Sequence, residues 1–304
     1  MELALRQAKK TNPESRVILL GDTTNKTILP VREGVAEFFF LEENEDLKEF
    51  RKNYRHVSHL PESFERFCLE RWFYLLHFMR QEGLKQSLHL DSDVFLFDDM
   101  TKILSCFGNV SMTLGRWFEN GYLGHCNRVS QECLETFCRY ILEVYRSDKM
   151  FQKIQEKSVA SDGKIYVSDM SLLYHFFQNT PWKAGFLEDS LQEGIFLDSR
   201  ISDLDVFRKQ PGLLGWRGMI KQVHFENSQP YVILYDGKQI PAKMVHYHGH
   251  AKFLMPHHFR GKNEPLRVAV HFYREEIFHR IRSGLSILWK KTCSFFQPPT
   301  QEKR

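Results

Sequence analysis

A chain of 304 residues that is 42% hydrophobic and 26% charged carries the apolar content of an ordinary globular protein, with length for one large α/β domain or two small ones. A net charge of only +4 excludes a general nucleic-acid binder, whose surface must be strongly basic. Six cysteines without a CxxC pair, mostly inside apolar runs, predict reduced thiols; with no secretory signal and no apolar run of membrane-spanning length, they predict a cytoplasmic location.

In chain order, "MELALRQAKK" reads as helical from its first residues, an abrupt opening for an α/β sheet, which usually begins on a strand. "RVILLGD" (16–22) predicts a strand closed by a Gly-Asp turn, and "AEFFFLE" (36–42) a second strand followed by a charged helix over 43–54. "SFERFCLERWFYLLHFM" (63–79) has the length and mixed charge of a helix, and it leads into a strand that ends in "LHLDSDVFLF" (88–97). "NVSMTL" and "GYLGHCN" read as strands, "SQECLETFCRYILEVY" (130–145) as an amphipathic helix, and Ser168 to Gln178 as a second long helix. Beyond Gly194 the residues alternate, with turn signals at Asn227 to Pro230 and at Asp236-Gly237, which predicts β-hairpins. Strands alternating with helices predict a mostly parallel central sheet covered on both faces, with a small antiparallel hairpin part. Ligands of such sheets bind beyond the carboxyl ends of the strands, and Asp91 and Asp93 stand at one such end.

Two carboxylates at the end of an apolar strand need a partner, because an unpaired charge leaving water costs several kcal/mol or more. On extended backbone Asp91 and Asp93 project to one side, as hard oxygen ligands suited to Mg²⁺ or Mn²⁺. The plainer alternative is two solvated turn aspartates capping the helix near Asp98 and Asp99. Far downstream, "VHYHGHAKFLMP" predicts a strand ending at His246 to His248 and a tight turn at Gly249. A neutral imidazole there can complete a metal shell, and Lys252 can reach a phosphate as a point charge. Each histidine taken singly reads as a surface residue; the combination His-Tyr-x-Gly-x-x-Lys singles one out.

"HLDSDVFLF" followed by "HYHGHAK" resembles the nucleotide-sugar glycosyltransferases of the GT-A fold, especially the retaining family-8 type that includes lipopolysaccharide galactosyltransferases and glycogenins. The resemblance implies a Rossmann-like three-layer α/β sandwich over residues 1–260, beginning after the family's first strand. It implies Asp91, Asp93 and His246 as ligands of Mn²⁺ or Mg²⁺, with Lys252 on the donor diphosphate and Gly249 letting the backbone approach it. Arg71 resembles a family arginine that contacts the donor, and Ser92 and Gly121 join the same donor-binding set. "ENGYLGHCN" has Glu119 where the family usually has asparagine, and "SDMSLLYHF" keeps Asp169 but has Met170 where the family has glutamine. Glu119 and Asp169 are therefore the candidate catalytic carboxylates, Asp169 as a neighbour of the oxocarbenium-like sugar or a contact of its hydroxyls; for Asp169 the alternative is stabilisation of a helix N-terminus. The implied partners are a UDP- or GDP-sugar donor and a glycan or glycolipid acceptor, with retention of configuration.

Two rival functions remain open at this level. One is a phosphatase of the haloacid-dehalogenase type, which also places Asp-x-Asp after an apolar strand but normally opens near that motif. The other is a catalytically inactive sugar-nucleotide-binding protein, which the departure at Met170 keeps in view. At 261–304 the sequence predicts a C-terminal basic amphipathic helix, with Ile277, Ile281, Leu285 and Leu288 on one stripe and Arg274, Arg280, Arg282, Lys290 and Lys291 interleaved. Such a helix either packs on the domain or lies in a membrane interface through residues 270–296.

Overall fold

Residues 1–117, 121–158, 166–201, 206–211 and 219–259 are described in the computed structural model of the protein. The helix predicted over the C-terminal segment lies outside these residues. Helix α1 (Glu2–Thr11) is followed by β1 (Ile18–Gly21), the short α2 (Leu29–Arg32) and β2 (Glu37–Phe40), then by α3 (Glu45–Asn53) and α4 (Glu62–Gln81). β1 and β2 pair in parallel with Ile18 opposite Glu37. Asn44 starts α3 by accepting a hydrogen bond from the Leu47 amide, with Glu45 and Asp46 in the first turn and Arg51 and Lys52 in the last. That is the charge order a helix dipole favours. α4 buries Leu69, Trp72, Phe73, Leu76 and Met79, a stripe of helical period that sets its inward face.

The middle of the chain holds β3 (Gln86–Leu90), β4 (Val94–Leu96), the single turn α5 (Met100–Ile103), β5 (Met112–Trp117), β6 (Gly121–Leu123) and β7 (Cys126–Ser130). Helices α6 (Gln131–Arg146), α7 (Asp148–Lys157) and α8 (Asp169–Asn179) follow, then β8 (Ala184–Phe186) and β9 (Phe196–Leu197). The last part is largely β: β10 (Lys209–Pro211), β11 (Met219–Lys221), β12 (Val223–Glu226), β13 (Gln229–Ile233) and β14 (Gln239–His246), before a 3₁₀ turn at Gly249–Leu254 and α9 (Met255–His258). The β12–β13 turn has Asn227 and Ser228 at φ of 49° and 65°, the left-handed pair that a two-residue hairpin requires. Among the described residues no helix is long and apolar enough to cross a membrane. Cys68, Cys106, Cys126, Cys133 and Cys138 are free thiols.

The expected mostly parallel central sheet needs correcting. One sheet runs β3-β7-β5-β6 with antiparallel neighbours, and only β8 joins it in parallel, on β5. The other runs β12-β13-β14-β4, again antiparallel, with β9 parallel to β14. The fold is therefore mixed α/β with mixed sheets. Connection length is the reason for the hairpins: β5–β6, β12–β13 and β13–β14 are joined by a few residues, and a parallel pair needs a crossover of about a dozen or more. "LHLDSDVFLF" also divides, because β3 belongs to the first sheet and β4 to the second. α4, α6 and α8 pack on one face of the first sheet through Trp72, Phe137 and Phe176, while Phe95, Val232, Val245 and Tyr247 centre the second.

Tyr247 is fully buried, and its hydroxyl shares a 2.6 Å hydrogen bond with His258 Nδ1. Burial pushes the His258 pKa down to about 3. The folded protein thus holds His258 neutral while the unfolded chain protonates it near pH 6.5, so stability is present above that pH and is lost as pH falls toward the folded value. Between pH 7 and 4.5 this one group is expected to remove about 3 kcal/mol. Urea unfolding at the two pH values checks it: His258→Gln, which keeps an acceptor for Tyr247, should flatten that part of the pH slope.

Candidate metal centre

Asp91, Ser92 and Asp93 form the turn between β3 and β4, closed by the Val94 amide donating to the Asp91 carbonyl at 3.1 Å. Backbone hydrogen bonds pin the turn on two sides. The Asp91 amide donates to the His125 carbonyl at 2.8 Å, and the Tyr247 amide donates to the Asp93 carbonyl at 2.8 Å. β14 runs antiparallel to β4 with His246 opposite Val94, which sets the imidazole beside Asp93. One ligand atom from each of Asp91, Asp93 and His246 lies within 4.8 Å of the other two. Asp93 and His246 are buried and Asp91 is half-buried, so the group opens to solvent on the Asp91 side.

The hydrogen bonds around His246 decide which nitrogen faces the carboxylates. Its Nδ1 lies 2.7 Å from the Ser199 carbonyl, which can only accept, so Nδ1 carries the proton. Nε2 then faces Asp93 Oδ1 at 3.5 Å, with its lone pair available to a ligand when the ring is neutral. A metal-binding histidine needs this arrangement, in which one nitrogen donates outward and the other is left to ligate. The His246 amide donates to Asp198 Oδ2 at 3.2 Å, and Asp198 Oδ1 takes Lys221 Nζ at 2.7 Å, an ion pair with both partners buried.

Electrostatics favour ionised carboxylates despite their burial. For Asp93 burial alone would disfavour the charge, yet His246 and Lys252 outweigh it and hold the carboxyl well below its usual range. Lys252 Nζ is 2.9 Å from Asp93 Oδ2, on a side chain that is half exposed. Burial likewise opposes a charged His246, and Asp93 raises its pKa nonetheless. Asp91 is met by Arg71 on α4, whose Nη1 donates to Oδ1 at 2.9 Å while Nη2 donates to Asp169 Oδ2 at 2.5 Å. Burial pushes the Asp169 carboxyl up against the pull of Arg71.

The structure thus brings together seven of the residues singled out from sequence: Asp91, Asp93, His246, Lys252, Arg71 and Asp169 by direct contact or proximity, and Ser92 at the exposed tip of the turn. The plainer reading of Asp91 and Asp93 as helix-capping turn residues does not hold. Asp99 caps α5 by accepting from the Thr101 amide, and Asp98 pairs with Lys243. Gly249 has φ of +60°, the left-handed turn expected of it. Gly121 opens β6 opposite Trp117, where a Cβ would come within 3.0 Å of the indole, so its role in this structure is close packing in the β5–β6 hairpin. Glu119 lies outside the described residues. Asp169 stands in the first turn of α8, which Ser168 caps, and its carboxylate meets Arg71 beside the Asp91 turn.

His125, His89, Asp198 and Lys221 escaped sequence reasoning. His89 Nε2 lies 3.9 Å from Asp91, and burial followed by Arg71 lowers its pKa to about 4, so it faces the site neutral. Alternation along "LHL" could have flagged His89, and His125 lies inside the "ENGYLGHCN" stretch; nothing in the sequence marks Asp198 or Lys221. No protein-family model matches the chain, and no curated protein matches it significantly.

The donor set fits a divalent cation. Two carboxylate oxygens and one correctly oriented imidazole nitrogen are the ligands that Mn²⁺ and Mg²⁺ accept, with further positions left for water or phosphate oxygens.

Proposed function

We propose that the protein is a metal-dependent glycosyltransferase of the GT-A type, moving a sugar from a UDP- or GDP-sugar to a glycan or glycolipid acceptor, with retention of configuration. The observation that carries this reading is the meeting of Asp91, Asp93 and His246 from two distant segments, with Lys252 beside them. Asp91, Asp93 and His246 would hold Mn²⁺ or Mg²⁺. The ion supplies positive charge to a leaving diphosphate as the bond to the sugar breaks. Lys252, half exposed and on the turn after Gly249, adds a second positive charge at the same oxygens. Arg71, part-buried, holds Asp91 and Asp169 in place across the turn, beside where a donor sugar would rest. The test is calorimetry of UDP and GDP binding with Mn²⁺ and with EDTA. Metal-dependent binding of one nucleotide supports the reading; metal-independent binding, or none, removes it.

Lys252 also occupies the position of a cation on Asp93, so it should compete with the metal when no nucleotide is present. Lys252→Met is expected to tighten Mn²⁺ binding by up to about fivefold, the equivalent of a half-exposed ion pair, while weakening nucleoside-diphosphate binding. A Mn²⁺ titration read by electron paramagnetic resonance separates the two effects.

A further inference from the structure

His125 connects the two arms of the Asp91–Asp93–His246 group, and neither sequence motif includes it. It sits in the two-residue connection between β6 and β7, next to Gly124, whose missing Cβ lets Trp72 pack within 2.6 Å of that position. Its backbone carbonyl holds the Asp91 amide at 2.8 Å. Its ring lies parallel to that of His246, with centroids 4.2 Å apart and planes 11° from each other. Room for the ring comes from Gly115 in β5, where a Cβ would stand 3.0 Å from His125 Cε1.

His125 is 3% exposed, and neither ring nitrogen makes a well-aligned hydrogen bond among the described residues, the Asp198 backbone being a polar neighbour that it meets only loosely. Packing alone would favour an apolar side chain there, because a buried polar atom without a partner is costly. What the ring does make is a face-to-face contact with one metal-ligand candidate. His246 is held at one edge by a single hydrogen bond to the Ser199 carbonyl, which a ring that tilts out of its plane does not keep. A flat neighbour on its face removes the tilt and aims Nε2 at the carboxylates. A neutral aromatic face also suits an imidazole that becomes electron-poor when it ligates a cation.

We propose that His125 is a positioning residue of the metal centre: its carbonyl sets the Asp91 backbone, and its ring sets the plane of His246. The metal part of this inference rests on the function proposed above; the orientation of His246 does not. Two variants separate stacking from bulk, His125→Phe, which keeps a flat ring, and His125→Leu, which keeps an apolar side chain without one.

The first readout is the long-range ¹H–¹⁵N imidazole spectrum of the metal-free full chain at alkaline pH, where His246 is neutral. Wild type and His125→Phe should show His246 as one tautomer protonated at Nδ1, and His125→Leu should show it averaged. The second is Mn²⁺ affinity by electron paramagnetic resonance, expected to fall about 10- to 100-fold in His125→Leu, the range for residues that orient a ligand, and to stay within about threefold in His125→Phe. Thermal unfolding of both variants confirms that the comparison is between folded proteins. A single His246 tautomer and unchanged Mn²⁺ affinity in His125→Leu would overturn the role of His125, as would a His125→Phe protein as impaired as His125→Leu. Wild-type protein that binds no Mn²⁺ would overturn the metal reading instead, and the imidazole spectra would still decide the positioning.

Discussion

Replacing Asp93 with Asn is expected to abolish metal-dependent nucleotide binding while leaving the fold in place. The substitution removes the negative charge that a divalent cation needs and keeps the side-chain shape. The turn survives because its supports are backbone groups: the Tyr247 amide bonds to the Asp93 carbonyl and the Val94 amide to the Asp91 carbonyl, and neither uses the carboxylate. Groups that only orient a ligand cost about 10- to 100-fold in affinity when removed, so loss of a ligand itself should exceed the upper figure. Calorimetry with Mn²⁺ and UDP or GDP measures it, with far-UV circular dichroism as the control for folding. Metal-dependent binding at wild-type strength in Asp93→Asn would take Asp93 out of the metal shell.

Lys221→Met should be the most destabilising single change away from the aromatic core. Lys221 and Asp198 are both buried, and the remaining oxygen of Asp198 receives the His246 amide. Without the ammonium, which lies 5.1 and 4.9 Å from the rings of Phe196 and Phe207, Asp198 is left as an uncompensated buried charge. Breaking one side of such a pair costs about 3–5 kcal/mol. Removing both charges in Asp198→Asn with Lys221→Met leaves no stranded ion, and the double variant should be more stable than Lys221→Met alone. Urea unfolding at pH 7 reads both. A loss under about 1 kcal/mol in Lys221→Met would mean that water reaches Asp198, as it does in a surface pair. Because Asp198 also steadies β14 at His246, Lys221→Met should weaken Mn²⁺ binding as well.

Local chemistry made much of the fold legible before any coordinates. Helices α3, α4, α6 and α8 lie where periodicity and capping put them, within a residue or two. Ser168 caps α8, and Asn227 begins the β12–β13 turn. Helix α7 was missed because its buried residues are only Phe151 and Ile154, too few to set a period. The Asp91–Asp93 turn was legible for a different reason. Carboxylates bordered by Leu88, Leu90, Val94 and Phe95 conflict with burial unless a cation meets them, and that conflict shows in sequence.

Three things about this protein came from sequence by itself: where most elements begin and end, that Asp91 and Asp93 stand where their charge must be met, and that His246, Gly249 and Lys252 close a second strand on a tight turn. Each depends on residues within a few positions of one another. Tertiary structure alone decided the direction of the strands, the division of "LHLDSDVFLF" between two sheets, and the partners of the charged groups. Arg71 meets Asp169 across 98 residues, Asp198 meets Lys221 across 23, and His125 stacks on His246 from the other sheet. Strand pairing and ion pairing join residues that share no local pattern. They are selected by which edges and faces meet once the whole chain has buried its apolar surface, so no window of sequence contains them.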